Sequence, residues 1–297
     1  MDKNLNYYLE QARKNDYAIG HFNFSTADVL RGIVEAAKEA GAPAVMVGTS
    51  EGEADFIGLK EAVALIRILR EEYSFPIFLN ADHFKSFEKC KEAIDAGYDS
   101  VIIDMSKMQF ADNVAETKKV VDYAKEISKY PPVPLAGRNI EISVEGELGY
   151  LRGFSEVQTK IEITSADFTK PEEAKKFVEK TGVNQLAVVF GNIHGIVTEQ
   201  EEKLDIEHFK KIITAMPDVF YVLHGASGLS EDDIRAAIKA GITNVHFNTE
   251  LRVAYTEGIH KTLHNKPAET TPYKYLAPAV EEVKNVVSQK IKVFMSK

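Results

Sequence analysis

Apolar residues along the chain fall into short unbroken runs, which alternate with longer stretches where they recur every three or four positions. The short runs predict strands that are buried on both faces, and the longer stretches predict helices with one apolar face. In the stretch 59–70, for instance, Leu59, Ala62, Ile66 and Leu69 share a face. The predicted strands are 17–24, 44–47, 75–79, 100–104, 140–147, 186–190, 221–223 and 243–247.

The order of these elements predicts the fold. Strand–helix units with right-handed crossovers, eight in this chain, favour a (β/α)8 TIM barrel over a doubly wound open sheet. A further C-terminal helix follows the barrel. No linker marks a boundary, so we expect residues 1–297 to form one domain. Residues 149–169 break the rhythm and predict a long loop, which is usually functional or mobile. The predicted helices are 27–40, 59–70, 85–96, 113–129, 171–180, 205–215, 231–240, 250–263 and 278–293.

Chemically active side chains follow the predicted strands at their carboxyl ends, where active sites of this barrel lie. Asp82 and His83 end the third strand, His194 follows the sixth, and His224 follows the seventh. Three histidines that leave one coordination position open are typical of catalytic zinc sites. We therefore predict that the three histidines bind a divalent metal and that Asp82 carries a proton beside it. Three imidazoles would accept cobalt or other divalent ions besides zinc.

The remaining histidines and the strand-end carboxylates have other expected roles. His208, His260 and His264 are expected to be solvated. Glu145 and Glu147 share one side of the fifth strand by its two-residue alternation. We expect Glu145 to be buried and hydrogen-bonded, and Glu147 to contact metal or substrate. Asp104 is either a partner of a ligand or a second metal position. The polar residues that end the other strands include Asn23, Ser50 and Asn248.

Small residues after the seventh strand, at 225–228, predict a phosphate site. Glycine lets backbone N–H groups approach an anion, and a helix begins soon after, near Glu231. His246 to Thr249 follow the eighth strand in the same way. Loops after strands seven and eight are the usual phosphate site of this barrel. The alternative is a tight turn with an N-cap at Ser230.

Composition narrows the partners and the location. The chain has 36 basic and 45 acidic residues, a net charge of −9 and no basic cluster, so nucleic acid and anionic membrane are excluded as expected partners. A site can still supply local positive charge to an anionic substrate. Cys90 is the only cysteine, which excludes an intrachain disulfide and suits a small buried hydrophobe. Without a signal peptide or a membrane-length apolar run, we expect a cytoplasmic protein.

Several motifs together resemble the class II, metal-dependent fructose-bisphosphate and tagatose-bisphosphate aldolases. The resemblance extends over nearly the whole chain, and its fold is the TIM barrel. The motifs are DH at 82–83, IDMS at 103–106, VEGELG at 144–149, GNIHG at 191–195, LHGASGLS at 223–230 and NTEL at 248–251.

The resemblance implies roles for these positions. His83, His194 and His224 match the ligands of a catalytic zinc ion, and Asp82 matches the residue that exchanges a proton with the C4 hydroxyl or the aldehyde oxygen. Asp104 and Glu147 match positions that hold a second or displaced metal. Family members also bind a monovalent cation near the dihydroxyacetone phosphate half and are usually homodimers or homotetramers. The implied substrate contacts are Asn23, Ser50, Gly195, Gly225, Ala226, Ser227, His246, Phe247, Asn248 and Thr249.

The activity implied by the resemblance is that of an aldehyde-lyase of carbohydrate metabolism, as in glycolysis. It cleaves a ketose 1,6-bisphosphate, with fructose ahead of tagatose, into dihydroxyacetone phosphate and glyceraldehyde 3-phosphate. The predicted sixth strand, 186–190, has no lysine for the Schiff base that class I barrel aldolases form there. Alternatives are an aldolase for another phosphorylated sugar, a non-catalytic phosphate-binding barrel, and a metal-dependent hydrolase, for which no group evidently activates water.

The chain departs from the family pattern at four places. Phe84 follows the Asp-His pair where a small or polar residue is common. His246 replaces an asparagine that contacts the ketose. Residues 152–156 read RGFSE, which leaves Glu156 as a displaced candidate for the carbon-proton base. Residues 271–274 read TPYK in place of the Asp-Pro-Arg whose arginine reaches the second phosphate across a subunit interface. Lys274 could supply charge there, but not a bidentate fork.

Overall fold

The computed structural model describes residues 3–129 and 141–295. The strands in these ranges are β1 (Ile19–Asn23), β2 (Val45–Ser50), β3 (Ile77–Phe84), β4 (Ser100–Ile103), β5 (Ser143–Leu148), β6 (Gly153–Gln158), β7 (Gln185–Val188), β8 (His194–Val197), β9 (Phe220–Leu223) and β10 (Ile242–Phe247). The helices are α1 (Leu5–Asn15), α2 (Ala27–Glu39), α3 (Glu51–Ile57), α4 (Leu59–Tyr73), α5 (Phe87–Ala96), α6 (Phe110–Lys129), α7 (Pro171–Thr181), α8 (Ile206–Ala215), α9 (Glu231–Ala240), α10 (Thr249–Asn265) and α11 (Pro272–Met295).

Eight of the strands close into a parallel barrel in the order β1-β10-β9-β7-β5-β4-β3-β2. Each contains or overlaps one of the strands predicted from the sequence, so the predicted (β/α)8 TIM barrel is confirmed and the open sheet is excluded. The predicted additional C-terminal helix is also present, because α11 packs on α10 and α2 outside the barrel.

The interior of the barrel is unusually polar for a closed sheet. Strand alternation places apolar residues such as Phe22 and Val245 outward under the helices, where both are fully buried. Inward-facing residues meet across the lumen instead. Asn80 Nδ2 lies 3.1 Å from His21 Nε2, although β2 separates their strands. Asn244 Nδ2 likewise lies 3.3 Å from Gln185 Oε1 across β9. Hydrogen-bonding groups therefore continue from the barrel centre towards its mouth.

The amino-terminal end of the barrel is covered by α1. Its apolar face, with Leu5 and Leu9, packs on Met46 and Phe78 near the starts of β2 and β3. Asn4 caps the helix, since its side chain accepts a hydrogen bond from the N–H of Tyr7 at 3.0 Å. The opposite end carries the strand-end residues singled out by the sequence.

Three expectations about secondary structure were wrong or incomplete. The expected loop 149–169 contains β6, which pairs in parallel with β8, and a 3-10 turn at Ser165–Asp167. The helix predicted at 278–293 begins at Pro272 and contains Pro278 in its interior; proline favours the first helical turn, so it hid the turns before it. Helices α1 and α3 were not predicted. Residue 140 of the predicted strand 140–147 lies outside the described residues. No helix of the described chain is long and apolar enough to cross a membrane.

Candidate active site

A cavity of about 470 Å³ opens at the carboxyl ends of the barrel strands. Most of the predicted site residues line it, although they come from segments far apart in the chain. The predicted residues on its walls are Asn23, Ser50, Asp82, His83, Asp104, Glu147, His194, Gly195, His224, Gly225, Ser227, His246, Asn248 and Thr249.

The three histidines predicted as metal ligands converge on one point of this cavity. The ring of His83 lies 5.0 Å from that of His194 and 4.6 Å from that of His224, centroid to centroid. One ring nitrogen from each lies within 4.8 Å of the others, a spacing that one ion with Zn–N bonds of about 2.1 Å bridges after small side-chain rotations. Within the described chain, Nδ1 of His224 is buried without a hydrogen-bond partner. This donor set fits a divalent metal.

The electrostatics of His194 also suit a ligand. Burial lowers its pKa well below the usual value, and the neighbouring His83 and His224 rings lower it further. A neutral imidazole is the form that coordinates a metal. His194 is therefore ready to bind an ion without first losing a proton.

A local irregularity in β3 aims His83 into the cavity. The pairing of β3 with β4 shifts register between Ala81 and Phe84, as β-bulges next to active sites commonly do. His83 itself has φ 53°, the left-handed region in which a non-glycine residue is strained. Phe84 pairs with Ile103 and is only 1% exposed. Phe84, a departure from the family pattern, thus anchors the strand after the bulge.

Glu145 holds His224 from below. Its Oε1 atom lies 2.7 Å from Nε2 of His224, and Glu145 is fully buried. The expectation of a deep, hydrogen-bonded role for Glu145 is confirmed. Because Nε2 is engaged, Nδ1 of His224 is the nitrogen left for an ion.

A second cluster lies on the other side of His83. Its Nδ1 atom is 3.1 Å from Oε2 of Glu147 and 3.4 Å from Oδ2 of Asp104. Burial raises the pKa of Glu147, and the charge of Asp104 raises it further. The Ser106 hydroxyl donates to Asp104 at 2.6 Å. A cation would relieve the repulsion between the two carboxylates, as a second or displaced metal position requires.

Asp82 is a buried carboxylate held in its ionised form. Burial alone would raise its pKa, but the charges and hydrogen bonding of His83, His246 and His21 hold it well below the usual range. The Asn23 amide donates to Oδ2 of Asp82 at 2.8 Å. An ionised carboxylate beside the histidines can accept a proton from a substrate hydroxyl.

Glu53 is a cavity residue that the sequence analysis missed. It accepts a second hydrogen bond from Asn23, at 2.8 Å, and its burial raises its pKa. It also closes a capping box with Ser50 at the start of α3. The spacing Ser50-x-x-Glu53 is the available sequence signal, because it marks a helix start.

His21 was also missed, although it lies beside the site. It pairs in register with His246 on the neighbouring strand, and the two rings stack at 3.7 Å with an interplanar angle of 10°. His246 Nδ1 is 3.4 Å from Oδ1 of Asp82. The signal was its spacing, because residues two apart on a strand share a face and His21 precedes Asn23 by two.

The phosphate predicted after the seventh and eighth barrel strands, which are β9 and β10, would meet glycine-rich backbone. Gly195 has φ 92° and Gly225 has φ 68°, and a Cβ on Gly225 would lie 2.0 Å from the carbonyl oxygen of Ile193. The N-cap of α10, Asn248, makes no side-chain capping bond, so the first N–H groups of this helix are open to an anion. Arg252 lines the same cavity and adds positive charge despite the acidic total.

Four predicted positions do not line the cavity. Alternation turns Phe247 outward, where its ring lies 5.7 Å from that of Phe294. Ala226 belongs to the apolar core. Lys274 lies on α11, 3.8 Å from Glu269 and off the cavity wall of its own chain, and its contact with the second phosphate stays a prediction. Glu156 is exposed on β6 and outside the cavity wall.

Of the histidines expected to be solvated, His260 and His264 are exposed. His208 is half-buried, and its Nε2 lies 2.8 Å from the carbonyl oxygen of Thr169. The expectation for His208 was therefore incomplete, because its ring has a protein partner.

The strand pair β6–β8 ties the segment after β5 to a predicted metal ligand. Gly153 pairs in register with His194. The backbone N–H of His194 donates to the carbonyl oxygen of Arg152 at 2.8 Å. The side-chain amide of Gln158 donates to the carbonyl oxygen of His194, also at 2.8 Å. This segment also reaches α10, where Ser155 Oγ lies 3.1 Å from Thr249 Oγ1. The cavity is thus walled on this side by residues that hold His194.

Comparison with known proteins places this geometry in context. Residues 3–297 match the family model described as class-II fructose-bisphosphate aldolase. A fructose-bisphosphate aldolase from Staphylococcus aureus (strain Mu50) is 38% identical over 291 residues, which cover 96% of this chain and 94% of the relative. The protein of the same name from Staphylococcus epidermidis (strain RP62A) is 36% identical over the same shares.

Solved structures agree with these sequence relatives. The YdjI aldolase of Escherichia coli K12 superposes with a TM-score of 0.80 at 28% identity and covers 99% of this chain and 97% of its own. A fructose-bisphosphate aldolase from Campylobacter jejuni gives a TM-score of 0.77 at 19% identity, over 98% and 93% of the two chains. At that identity the second likeness shows the shared fold alone.

Proposed function

Because the chain belongs to the class II fructose-bisphosphate aldolase family, we propose that it is a zinc-dependent aldolase of ketose 1,6-bisphosphates. Fructose 1,6-bisphosphate is the first candidate substrate, and the products are dihydroxyacetone phosphate and glyceraldehyde 3-phosphate. The observation that carries the proposal is the convergence of the His83, His194 and His224 ring nitrogens within 4.8 Å, next to the buried carboxylate of Asp82.

The three histidines would hold the zinc ion, and Glu147 and Asp104 would offer the second or displaced position. When bound, the ion supplies a Lewis acid that withdraws electrons from the substrate ketone. Glu145 keeps His224 in place through its 2.7 Å contact with Nε2.

Asp82 performs the proton transfer at C4 in this proposal. In cleavage it accepts the proton of the C4 hydroxyl while the C3–C4 bond breaks and C4 becomes the aldehyde carbon. The electron pair of that bond stays on the ketone fragment, which takes up a proton at C3 and leaves as dihydroxyacetone phosphate. In the reverse direction it returns that proton to the aldehyde oxygen. The buried position of its carboxylate, ionised beside the histidines, supports this role.

The phosphate of the dihydroxyacetone half is proposed to lie against Gly195, Gly225, Ser227 and the start of α10. The open N–H groups at the helix start and the Arg252 side chain provide the positive charge that balances the phosphate. A monovalent cation beside this phosphate stays a prediction. Strand β7, with the sequence QLAV, carries no lysine, so the Schiff-base route of class I barrel aldolases has no nucleophile at that position.

A sibling substrate is favoured by one observation. Lys274, the expected contact of the second phosphate, is not on the cavity wall of its own chain. A homodimer or homotetramer could bring it from another copy, and light scattering would establish the oligomeric state. Otherwise a ketose with a different distal group fits the same chemistry. Tagatose 1,6-bisphosphate keeps the second phosphate and differs from the fructose compound only in configuration at C4, so it stays an alternative that this observation does not favour.

The test is a substrate panel on the zinc-loaded protein. Fructose and tagatose 1,6-bisphosphates are assayed for release of dihydroxyacetone phosphate, with zinc content measured on the same sample. Cleavage of fructose 1,6-bisphosphate is the expected result. Binding of dihydroxyacetone phosphate without cleavage of any phosphorylated ketose would instead indicate a non-catalytic phosphate-binding barrel.

A further inference from the structure

Each oxygen of the Asp82 carboxylate, on β3, faces a side chain from across the barrel, one on β1 and one on β10. The Asn23 amide donates to Oδ2 at 2.8 Å. On the other side, Nδ1 of His246 lies 3.4 Å from Oδ1, and among the described residues neither atom has another hydrogen-bond partner. His246 is 8% exposed and Asp82 is 6% exposed. With so little water in reach, the His246 ring decides what Oδ1 meets.

The far side of the His246 ring fixes which nitrogen carries the proton. Asn244 Nδ2 lies 3.2 Å from Nε2 of His246 and 3.3 Å from Oε1 of Gln185. An amide nitrogen can only donate, so Nε2 accepts. The neutral ring then carries its proton on Nδ1, the atom that faces Asp82.

The stacked ring of His21 prevents His246 from turning away. The two rings are 3.7 Å apart and nearly parallel, at 10°, and His21 is itself fixed by Asn80 at 3.1 Å. One nitrogen each from His21 and His246 and one Asp82 oxygen lie within 4.8 Å of one another. A shared metal ion is disfavoured, because the His21 and His246 rings pack face to face at 3.7 Å and Nε2 of each already contacts an asparagine amide.

We propose that His246 is a positioning residue for Asp82. It donates its Nδ1–H to Oδ1 and so aims the carboxylate at the C4 hydroxyl, while Asn244 and His21 hold the ring. The inference rests on the proposed function and deepens it. The resemblance places an asparagine at this position, and an asparagine side chain can set its N–H where Nδ1–H of histidine lies, whereas a glutamine N–H corresponds to the Nε2 position.

Two reactions of the same enzyme separate this role from a general one. Cleavage of the ketose needs the proton transfer by Asp82. In dihydroxyacetone phosphate, the hydroxymethyl carbon is the one that becomes C3 of the ketose. Exchange of its proton with solvent needs the metal and a carbon base, but no proton transfer at C4. A group that acts through Asp82 should therefore affect cleavage and leave exchange unchanged.

The experiment compares His246→Ala, His246→Asn and His246→Gln with the wild type and with His260→Ala, an exposed control. Cleavage is followed by product release, exchange by NMR in deuterated water, and zinc by metal analysis. Removing an orienting partner typically costs about 10–100-fold, and we expect a fall of that order in kcat for cleavage in His246→Ala and His246→Gln. Their exchange rate and zinc content should match the wild type, and His246→Asn should recover most of the lost kcat.

Parallel loss of cleavage and exchange would overturn the inference, because the ring would then act through the metal or the fold. Equal activity of His246→Asn and His246→Gln would overturn the donor role of Nδ1. A zinc-loaded wild type that exchanges the dihydroxyacetone phosphate proton but cleaves no phosphorylated ketose would instead reject the proposed function.

Discussion

Oε1 of Glu145 lies 2.7 Å from Nε2 of His224, beneath the floor of the cavity. Neither side chain is more than 2% exposed. A carboxylate in this position fixes the orientation of a histidine ring and increases its basicity as a ligand. The pair therefore makes a prediction about metal affinity that does not depend on which sugar is cleaved.

Glu145→Ala should weaken zinc binding by about 10–100-fold, the usual effect of losing the partner of a metal-binding histidine. The measurement is a competition titration against a chelator of known affinity. Glu172→Gln, at an exposed position on α7, serves as the control. An unchanged zinc affinity in Glu145→Ala would show that His224 needs no support or is not a ligand.

Removal of the metal should abolish cleavage of the ketose bisphosphate, and added zinc should restore it. The reason is that the cavity offers three convergent imidazoles but no lysine on β7. Borohydride with substrate should leave the enzyme active, since no Schiff base forms to be reduced. Activity that persists in excess chelator would contradict the metal-dependent mechanism.

Asp82→Asn should keep zinc and lose about 10²–10⁴-fold in kcat, the contribution typical of a general acid–base group. The amide is close in shape to the carboxylate but cannot accept the C4 proton. Steady-state kinetics and metal analysis on the same preparation check both halves of the prediction. Turnover close to that of the wild type would remove Asp82 from its assigned role.

Glu202 should make stability depend on pH. Burial raises its pKa from 4.5 to about 7, although the N–H groups of Ile193 and Val197 oppose the rise. The folded state therefore holds this proton more tightly than the unfolded chain. Its contribution favours folding below about pH 4.5 and is lost as pH rises towards about 7.

The comparison for Glu202 is with Glu202→Gln, which cannot ionise. The variant should gain free energy of unfolding relative to the wild type as pH rises from about 5 to about 8. Urea unfolding at both values measures the difference. A constant difference between the two proteins would mean that Glu202 ionises normally in the fold.

Gly225→Ala should destabilise the protein and raise KM. Gly225 has φ 68°, and the added Cβ would lie 2.0 Å from the Ile193 carbonyl oxygen. Residues 225–228, the loop proposed to bind phosphate, must therefore shift. Gly41→Ala is a matched control, because Gly41 has φ 81° but no atom of the described residues lies within 4 Å of its Cβ position. It should lose only the backbone term of about 1–3 kcal/mol. Equal Tm losses and an unchanged KM would contradict a tight phosphate loop.

The barrel and most of the cavity wall were predictable because they follow from local patterns. Apolar runs located the strands, and their ends located Asp82, His83 and His224. Phe247 was wrong as a predicted substrate contact, because neighbouring strand residues face opposite sides and His246 takes the inward side. The pairing of β6 with β8 was missed because contacts between distant segments leave no local signature.

The position of Lys274 in an assembly likewise lies beyond a single chain. His21 is a different case. Its inward orientation follows from its two-residue spacing to Asn23, but its stacking partner His246 on β10 does not follow from the sequence. Sequence periodicity thus identifies the site's contributors better than it identifies their partners.

The parallel pairing of Gly153 with His194 connects one wall of the cavity directly to a predicted metal ligand. If residues 150–158 swing aside to admit or release a sugar, they must either break this ladder or drag the imidazole with them. Entry of the sugar and the position of His194 would then change together. A substitution in residues 150–158 would alter metal coordination although none of these residues is a predicted ligand.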